Sequence, residues 1–224
     1  RISDLTQKSF KVGLAGSGNM YRRMVFPIYN EHSQIIGFSG RKVDDGPSPK
    51  WKHIGKKNNW IYPAYVPNKE TVDSIITNKQ EVYLVESIGD AMALYEQGVK
   101  NVLVIFGLSV SASIISYLSS KTINKIIIAG NNDFNSKVNR GLMASIKNYF
   151  KLSSYFDLDV MSIKVPPKGF NDLGEAHEAG SDLVSWSKTE TDPEKQREFI
   201  SDFVRKNDQK FAKSHIKKAK KLNE

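Results

Sequence analysis

Two apolar runs that each lead to an acidic tip limit what this chain can fold into. The first is Val82-Tyr83-Leu84-Val85, continuing into Glu86-Ser87-Ile88-Gly89-Asp90. The second is Ile126-Ile127-Ile128-Ala129, continuing into Gly130-Asn131-Asn132-Asp133. Short runs with no polar alternation read as strands covered on both faces. Between residues 81 and 166 such runs alternate with helical stretches. Strands are expected over 82–85, 101–105, 125–129 and 158–164, and helices over 89–97, 111–119 and 140–149. Gly98 is placed as the stop of the first helix. Strands separated by helices of about ten residues imply βαβ units and a parallel sheet, so the fold class is α/β. Acids at the carboxyl edge of such a sheet suit a divalent cation, and hard oxygen ligands there imply phosphate chemistry.

The flanks differ in character. Residues 1–78 read as a smaller α+β lobe. Its clearest element is a hairpin, with strands over 24–29 and 34–41 split by the polar turn Asn30-Glu31-His32-Ser33. A Pro/Gly/Lys-rich loop over 44–59 follows, closed by Trp60-Ile61-Tyr62-Pro63. Residues 79–180 hold the alternating core. Residues 181–224 read as a basic helix or frayed tail, with Phe199, Phe203 and Phe211 as its apolar anchors. The 224 residues, 39% of them apolar, suffice for one sizeable core or a core plus a smaller lobe. No apolar run approaches a membrane span, so no membrane partner is expected. With no cysteine there is neither a disulfide framework nor a thiolate zinc site in this segment. His32, His53, His177 and His215 show no paired spacing, which argues against zinc altogether. The chain starts at Arg1 without a Met and reads as part of a longer protein.

There are 33 Lys and Arg against 24 Asp and Glu, a formal charge of +9, which favours a polyanionic partner, nucleic acid ahead of an anionic membrane. Arg22, Arg23, Arg41 and Lys42 bracket the hairpin, and Lys50, Lys52, Lys56 and Lys57 interleave with Trp51, His53 and Trp60. Cations can hold phosphates and aromatic rings can stack on unpaired bases. The same residues also read as a solvated charge run. Glu86 and Asp90 also read as a helix-capping pair, because acids favour helix N-termini. Asp133, Asp172 and Glu175 tip the balance toward a shared acidic site. The stretch Lys168-Gly169-Phe170-Asn171-Asp172 serves equally as an Asx-type loop. The glycine-rich stretch 13–18 has no strand leading in and reads as a plain loop.

The blocks Arg23-Met24-Val25-Phe26-Pro27-Ile28-Tyr29-Asn30, Ile36-Gly37-Phe38-Ser39-Gly40-Arg41 and Val85-Glu86-Ser87-Ile88-Gly89-Asp90 resemble the catalytic core of DnaG-type replicative primases. That resemblance covers about residues 1–180. It implies a basic N-terminal lobe joined to a TOPRIM parallel-sheet core, and synthesis of short RNA primers on single-stranded DNA. By it, Glu86, Asp90 and Asp133 would be catalytic. Glu86, Asp133 and Asp172 would hold Mg2+ or Mn2+, while Arg22, Arg23, Arg41 and Lys50 would line the track for nucleotide and template. Single-stranded DNA, nucleoside triphosphates and a replicative helicase would be its partners, the cytoplasm its place, and a zinc-binding module would lie upstream. Two residues depart from the pattern. Asn131 stands where the family has an Asp, and Gly169 where a Lys-Asp motif would supply a ligand, which points to a weakened metal site or a phage-type variant acting in a host cytoplasm. Two alternatives stay open: a TOPRIM metal-dependent nuclease, and a non-catalytic TOPRIM subunit that binds single-stranded nucleic acid.

Overall fold

The computed structural model describes residues 1–222 except Gly46 and Ser48. The expected loop over 44–59 and the expected C-terminal tail each take in positions outside that set: Gly46 and Ser48, and Asn223 and Glu224.

The chain opens with α1 (Asp4–Ser9), whose first turn is capped by the Ser3 hydroxyl accepting from the Thr6 amide. Four antiparallel strands follow in sheet order: β1 (Gly13–Leu14), β2 (Arg23–Tyr29), β3 (Ile35–Lys42) and β4 (Trp51–Ile54). The β2–β3 hairpin forms where the sequence predicts it. Asn30 fixes the turn, its Oδ1 accepting from the amides of His32 and Gln34, while Ser33 takes a left-handed conformation. Two expectations are corrected here. The glycine-rich stretch contributes the short edge strand β1, and the 44–59 loop contains β4. The alternation Trp51-Lys52-His53-Ile54 carries strand period, but the prolines and glycines around it mask the signal.

The second sheet is built after α2 (Val72–Lys79) from β5 (Glu81–Val85), α3 (Ile88–Glu96), β6 (Val102–Val104), α4 (Ala112–Ser119), β7 (Lys125–Ala129), α5 (Arg140–Leu152) and β8 (Met161–Ile163). Its strands are parallel in the order β6-β5-β7-β8. Short helices α6 (Leu173–Glu178) and α7 (Leu183–Lys188) come next, then α8 (Pro193–Lys206) and α9 (Lys213–Lys221). The α/β class and the parallel core therefore match expectation.

Alternation along β5 separates the two cores. Val82 and Leu84 enter one cluster with α4, α5, α8 and α9. Tyr83 and Val85 enter the other with α3, α6, α7 and the N-terminal lobe, including Phe26, Ile28, Trp60 and Tyr62. Tyr62 also pairs with the edge strand β6, its carbonyl accepting from the Val104 amide. The C-terminal segment is not a frayed tail. Ile200, Val204, Phe211 and Ala219 are buried, and Gln196 accepts from the Ile163 amide at 2.7 Å. Phe199, expected as an anchor, is 46% exposed instead, because its neighbours Ile200 and Val204 face the core. No helix among the described residues is long and apolar enough to cross a membrane.

Candidate active site

One face of the N-terminal sheet looks at the carboxyl edge of the parallel sheet. In antiparallel register Ser39 lies opposite Phe26 and His53, and Arg41 opposite Met24 and Trp51. Residues directly opposite share a face, so Met24, Phe26, Ser39, Arg41, Trp51 and His53 project together. Trp51 sits below the Arg41 guanidinium, 5.8 Å from its carbon. Of these, Arg41 and Trp51 meet Glu86, Ser87, Gly89, Asn131 and Asp172 across a cleft of about 430 Å³, which Lys50 also lines.

Glu86 follows the last residue of β5 and is half-buried. Among the described residues its carboxylate makes no hydrogen bond or ion pair. Burial first, then Asp90, Asp133 and Asp172, push its pKa up to about 7. That is the signature of negative charge gathered without a counter-ion.

The other expected acids are engaged in helix capping. Asp90 is buried. Its Oδ2 accepts from the Ser87 amide and hydroxyl, closing a capping box on α3, and its Oδ1 accepts from the amides of Leu173 and Gly174 at the start of α6. Burial and Asp172 raise its pKa to about 6, against the opposing pull of those bonds. Asp133 Oδ2 accepts from the Gly141 amide at the start of α5. Asp172 is the N-cap of α6, accepting from the Glu175 amide at 2.7 Å. Glu175 in turn accepts from the Asn171 amide and side chain. Asp90 therefore sits as the capping reading of the sequence has it, and the Asx-loop reading of residues 168–172 also describes the local geometry.

Among the described residues no three imidazole or carboxylate groups converge closely enough to hold a metal ion by themselves. The donor chemistry nonetheless fits Mg2+ or Mn2+. Both Glu86 oxygens, Asp133 Oδ1 and Asp172 Oδ2 have no hydrogen-bond partner among the described residues, and Mg2+ characteristically uses one or two carboxylates and completes its shell with water and substrate phosphates.

The basic residues divide. Arg41 and Lys50 line the cleft. Arg22, which directly precedes β2, is exposed, 3.9 Å from Asp44 and over the Tyr21 ring. Arg23 is 4% exposed and donates to the carbonyls of Gly40, Pro49 and Lys50. Its expected place on a phosphate track is corrected: the Gly40 position leaves room for this clamp, and a Cβ there would lie 3.1 Å from Arg23 Cδ. The expected ligand position Gly169 has φ +97°, a backbone state that an L side chain strains to adopt. Trp51 and His53, which the sequence offers as stacking rings among the basic residues, lie beside Glu86.

Residues 2–62 match the family model described as the DNA primase catalytic core, N-terminal domain, and residues 83–173 match the model described as Toprim-like. The two matches fall on the N-terminal lobe and on the parallel-sheet domain, so the chain is similar to a DnaG-type catalytic core in the order of its parts. Relatives narrow the likeness. The chain is 36% identical over 87 residues to a DNA primase of Lactococcus lactis, an overlap covering 38% of this chain and 14% of that one. It is 27% identical over 175 residues to the uncharacterized protein MG010 of Mycoplasma genitalium, covering 75% of this chain and 73% of that one. The RNA polymerase domain of Mycobacterium tuberculosis primase DnaG, solved with a double-stranded DNA oligomer bearing a 6-nucleotide overhang, has the same fold, with a TM-score of 0.69 over 89% of this chain and 72% of that chain at 16% identity. The chain thus spans only a small part of the Lactococcus primase and most of the Mycoplasma protein.

Proposed function

We propose that this chain is the catalytic core of a primer-synthesising enzyme, a DNA-directed RNA polymerase acting on single-stranded DNA with nucleoside triphosphates. The observation that carries the reading is Glu86: a half-buried carboxylate without a partner among the described residues, faced across one cleft by Arg41 and Lys50. Arg41 and Lys50 would hold phosphates, and Trp51 would offer a flat surface to a base. Glu86, with Asp133 and Asp172 beside it, would hold Mg2+ or Mn2+. When bound, that ion would neutralise charge on the phosphates and activate the attacking hydroxyl. Asp90 has a positioning role in this scheme, since it ties the start of α3, and with it Glu86, to α6. The expected parts at 1–78, 79–180 and 181–224 then divide the work: a basic lobe for template, an acid-bearing core, and a helical cap. A replicative helicase as partner and a cytoplasmic setting follow from the same reading.

A second reading has an observation in its favour. Three of the four acids cap helices, and Asn131 and Gly169 contribute no charge, as a non-catalytic subunit binding single-stranded nucleic acid would allow. The nuclease reading has no such support, because the hairpin lobe facing the acids gives a nuclease no evident benefit. A primer-synthesis test on single-stranded DNA with labelled nucleotides and Mg2+ or Mn2+ separates them. Short RNA products that vanish in Glu86→Gln support the enzyme. DNA binding with no products from the wild type supports the binding subunit, and cleaved template the nuclease.

A further inference from the structure

The helix α9 stands apart in charge. It holds five lysines in nine residues, Lys213, Lys217, Lys218, Lys220 and Lys221, and no carboxylate. Its neighbour α8 shows the ordinary pattern: Glu194, Glu198 and Asp202 interleave with its cations, and Arg197 and Arg205 pair with Asp159 and Asp202 at 2.8 and 2.9 Å. The lysines of α9 divide by face. Lys218 donates to the Phe150 carbonyl at 2.6 Å and to the Ser153 and Ser154 hydroxyls, closing the end of α5. Ala219 on the same side is 3% exposed, and Ile216 and Leu222 pack on the core. Lys213, Lys217 and Lys220, at spacings of four and three, form one outward stripe with Lys221 beside it. All four are exposed, and none makes a hydrogen bond or ion pair among the described residues.

Such a stripe works against the helix that carries it. Like charges three and four residues apart repel, Lys213 stands in the first turn against the helix dipole, and Ala212 offers no capping side chain. A second sign of unneutralised charge lies next to it: burial first, then Lys147 and Lys218, lower the His215 pKa. The charge also continues toward the acids. Arg140 and Lys147, seven residues apart, share a face of α5, which holds no carboxylate either. Arg140 follows Asn139, whose Oδ1 accepts from the Asp133 amide, and Lys147 lies 5.4 Å from the Phe211 ring, against which His215 packs. The 13 residues of α5 span about 20 Å, which sets α9 about that far from the acid loop.

The chemistry of the stripe selects among polyanions. A membrane surface needs a free apolar face to insert, and the apolar face of α9 is already packed on the core. A protein partner needs a buried apolar or aromatic anchor, and the outward residues of α9 are lysines and Ser214. An unpaired strand gains much of its affinity from stacking on aromatic rings, which this stripe lacks and the cleft has in Trp51. A duplex is held through its phosphates alone. From Lys213 to Lys221 the stripe runs about 12 Å, the axial span of three to four phosphates of one duplex strand. We propose that the outer face of α9, continued by Arg140 and Lys147, holds the backbone of a nucleic-acid duplex, and that in primer synthesis this duplex is the newly paired primer and template. The second half of that statement rests on the primer-synthesis reading; the first half stands without it.

The test uses the full chain in EDTA. Fluorescence anisotropy follows two probes, an RNA–DNA duplex of about 16 base pairs and single-stranded DNA of the same length, between about 50 and 200 mM NaCl. One variant carries Lys213→Gln, Lys217→Gln, Lys220→Gln and Lys221→Gln together, which removes charge and keeps helix propensity. A second carries Arg at the same four positions and keeps the charge. A third carries Lys8→Gln, Lys11→Gln, Lys69→Gln and Lys188→Gln, an equal loss at exposed positions elsewhere. The expected result is that the α9 Gln variant loses roughly ten-fold or more in duplex affinity and its log–log salt slope falls by about 2 to 3, while single-stranded DNA changes much less. The Arg variant matches the wild type, and the third variant stays within about two-fold of it, because distant charges are screened. Equal losses for duplex and single strand, or for the α9 and third variants, overturn the duplex assignment and leave net charge as the cause. Wild-type binding to phosphatidylglycerol vesicles that the duplex does not displace overturns it in favour of a membrane. If the wild type makes primers in Mg2+ while the α9 Gln variant holds duplex normally, the surface falls and the primer-synthesis reading stands. If duplex binding collapses in that variant and the wild type makes no primers, the surface stands and the primer-synthesis reading falls.

Discussion

Glu86 and Asp90 lie one helical turn apart, yet their environments assign them opposite duties. Asp90 accepts from four donors and joins two helix starts. Asp90→Ala should therefore cost about 3 kcal/mol in denaturant unfolding, since it strands buried amides and a cap together. Glu86 accepts from no described residue, and its isosteric Glu86→Gln should abolish primer synthesis without loss of stability. A pH dependence sharpens the contrast. The folded-state pKa of Glu86, about 7, stands above its ordinary value of 4.5. A carboxylate whose pKa is raised by folding opposes the fold once ionised, so its penalty is absent below about pH 4.5, grows through the window to 7 and is complete above it. In EDTA, Glu86→Gln should match the wild type at pH 4.5 and exceed it by about 1 kcal/mol at pH 8, a figure discounted for the partial exposure of the group. Mg2+ should narrow that gap if the acids hold it. A Glu86→Gln melting curve parallel to wild type across the whole range would remove the picture of repelling acids.

At the level of elements, the decisive unit is β4, which carries Trp51 and His53 to the acids. Arg41, its neighbour in register, should reach phosphates, whereas Arg23 clamps carbonyls. Arg41→Ala should weaken binding of single-stranded DNA and lower the log–log salt slope by about 1, with little change in stability. Arg23→Ala should instead unfold the lobe at lower denaturant by about 2 kcal/mol, because buried carbonyls lose their donor. An unchanged salt slope in Arg41→Ala leaves it as surface charge. The hairpin, the parallel sheet and the strand-end position of Glu86 were legible because each rests on local period: alternation with a polar turn, or an unbroken apolar run. β4 was not, since its four residues sit among prolines and glycines and gain strand form only by pairing with β3. The burial of Arg23 was not legible either, as an Arg at a hairpin reads as exposed until Gly40 and Pro49 close around it. Asp90 and Asp172 carried both readings in the sequence, and only the amides they accept from show which local geometry is realised. The same geometry separates the two departures. Asn131→Asp adds a charge at a residue lining the cleft and should tighten Mg2+ in calorimetry, whereas Gly169→Asp meets a strained φ and should lower stability by about 1 kcal/mol without adding affinity.

Across the whole molecule, the two lobes share a core. Phe26, Ile28, Trp60 and Tyr62 of the N-terminal part pack in the same cluster as Tyr83, Val85 and Leu94, and Tyr62 pairs with β6. The proposed boundary near residue 78 then divides function and not stability. The C-terminal helices cover the opposite face, where Ile200 and Val204 lie with Leu84, Ile128 and Ile163. The parallel sheet connects both clusters, so a defect on one face should be felt on the other. Ile200→Ala removes a fully buried side chain and should cost about 3 kcal/mol. Its effect should appear equally in far-UV circular dichroism and in tryptophan fluorescence measured in a Trp186→Phe background, where Trp51 and Trp60 report from the far lobe. Coincident transitions, shifted together to lower denaturant, are the expected outcome of one cooperative unit. If the fluorescence transition stays at its wild-type midpoint while the dichroism shifts, the lobes unfold separately. The clasp between the Glu86 edge and the Trp51 face would then be a hinged contact, and nucleotide binding would have to close it.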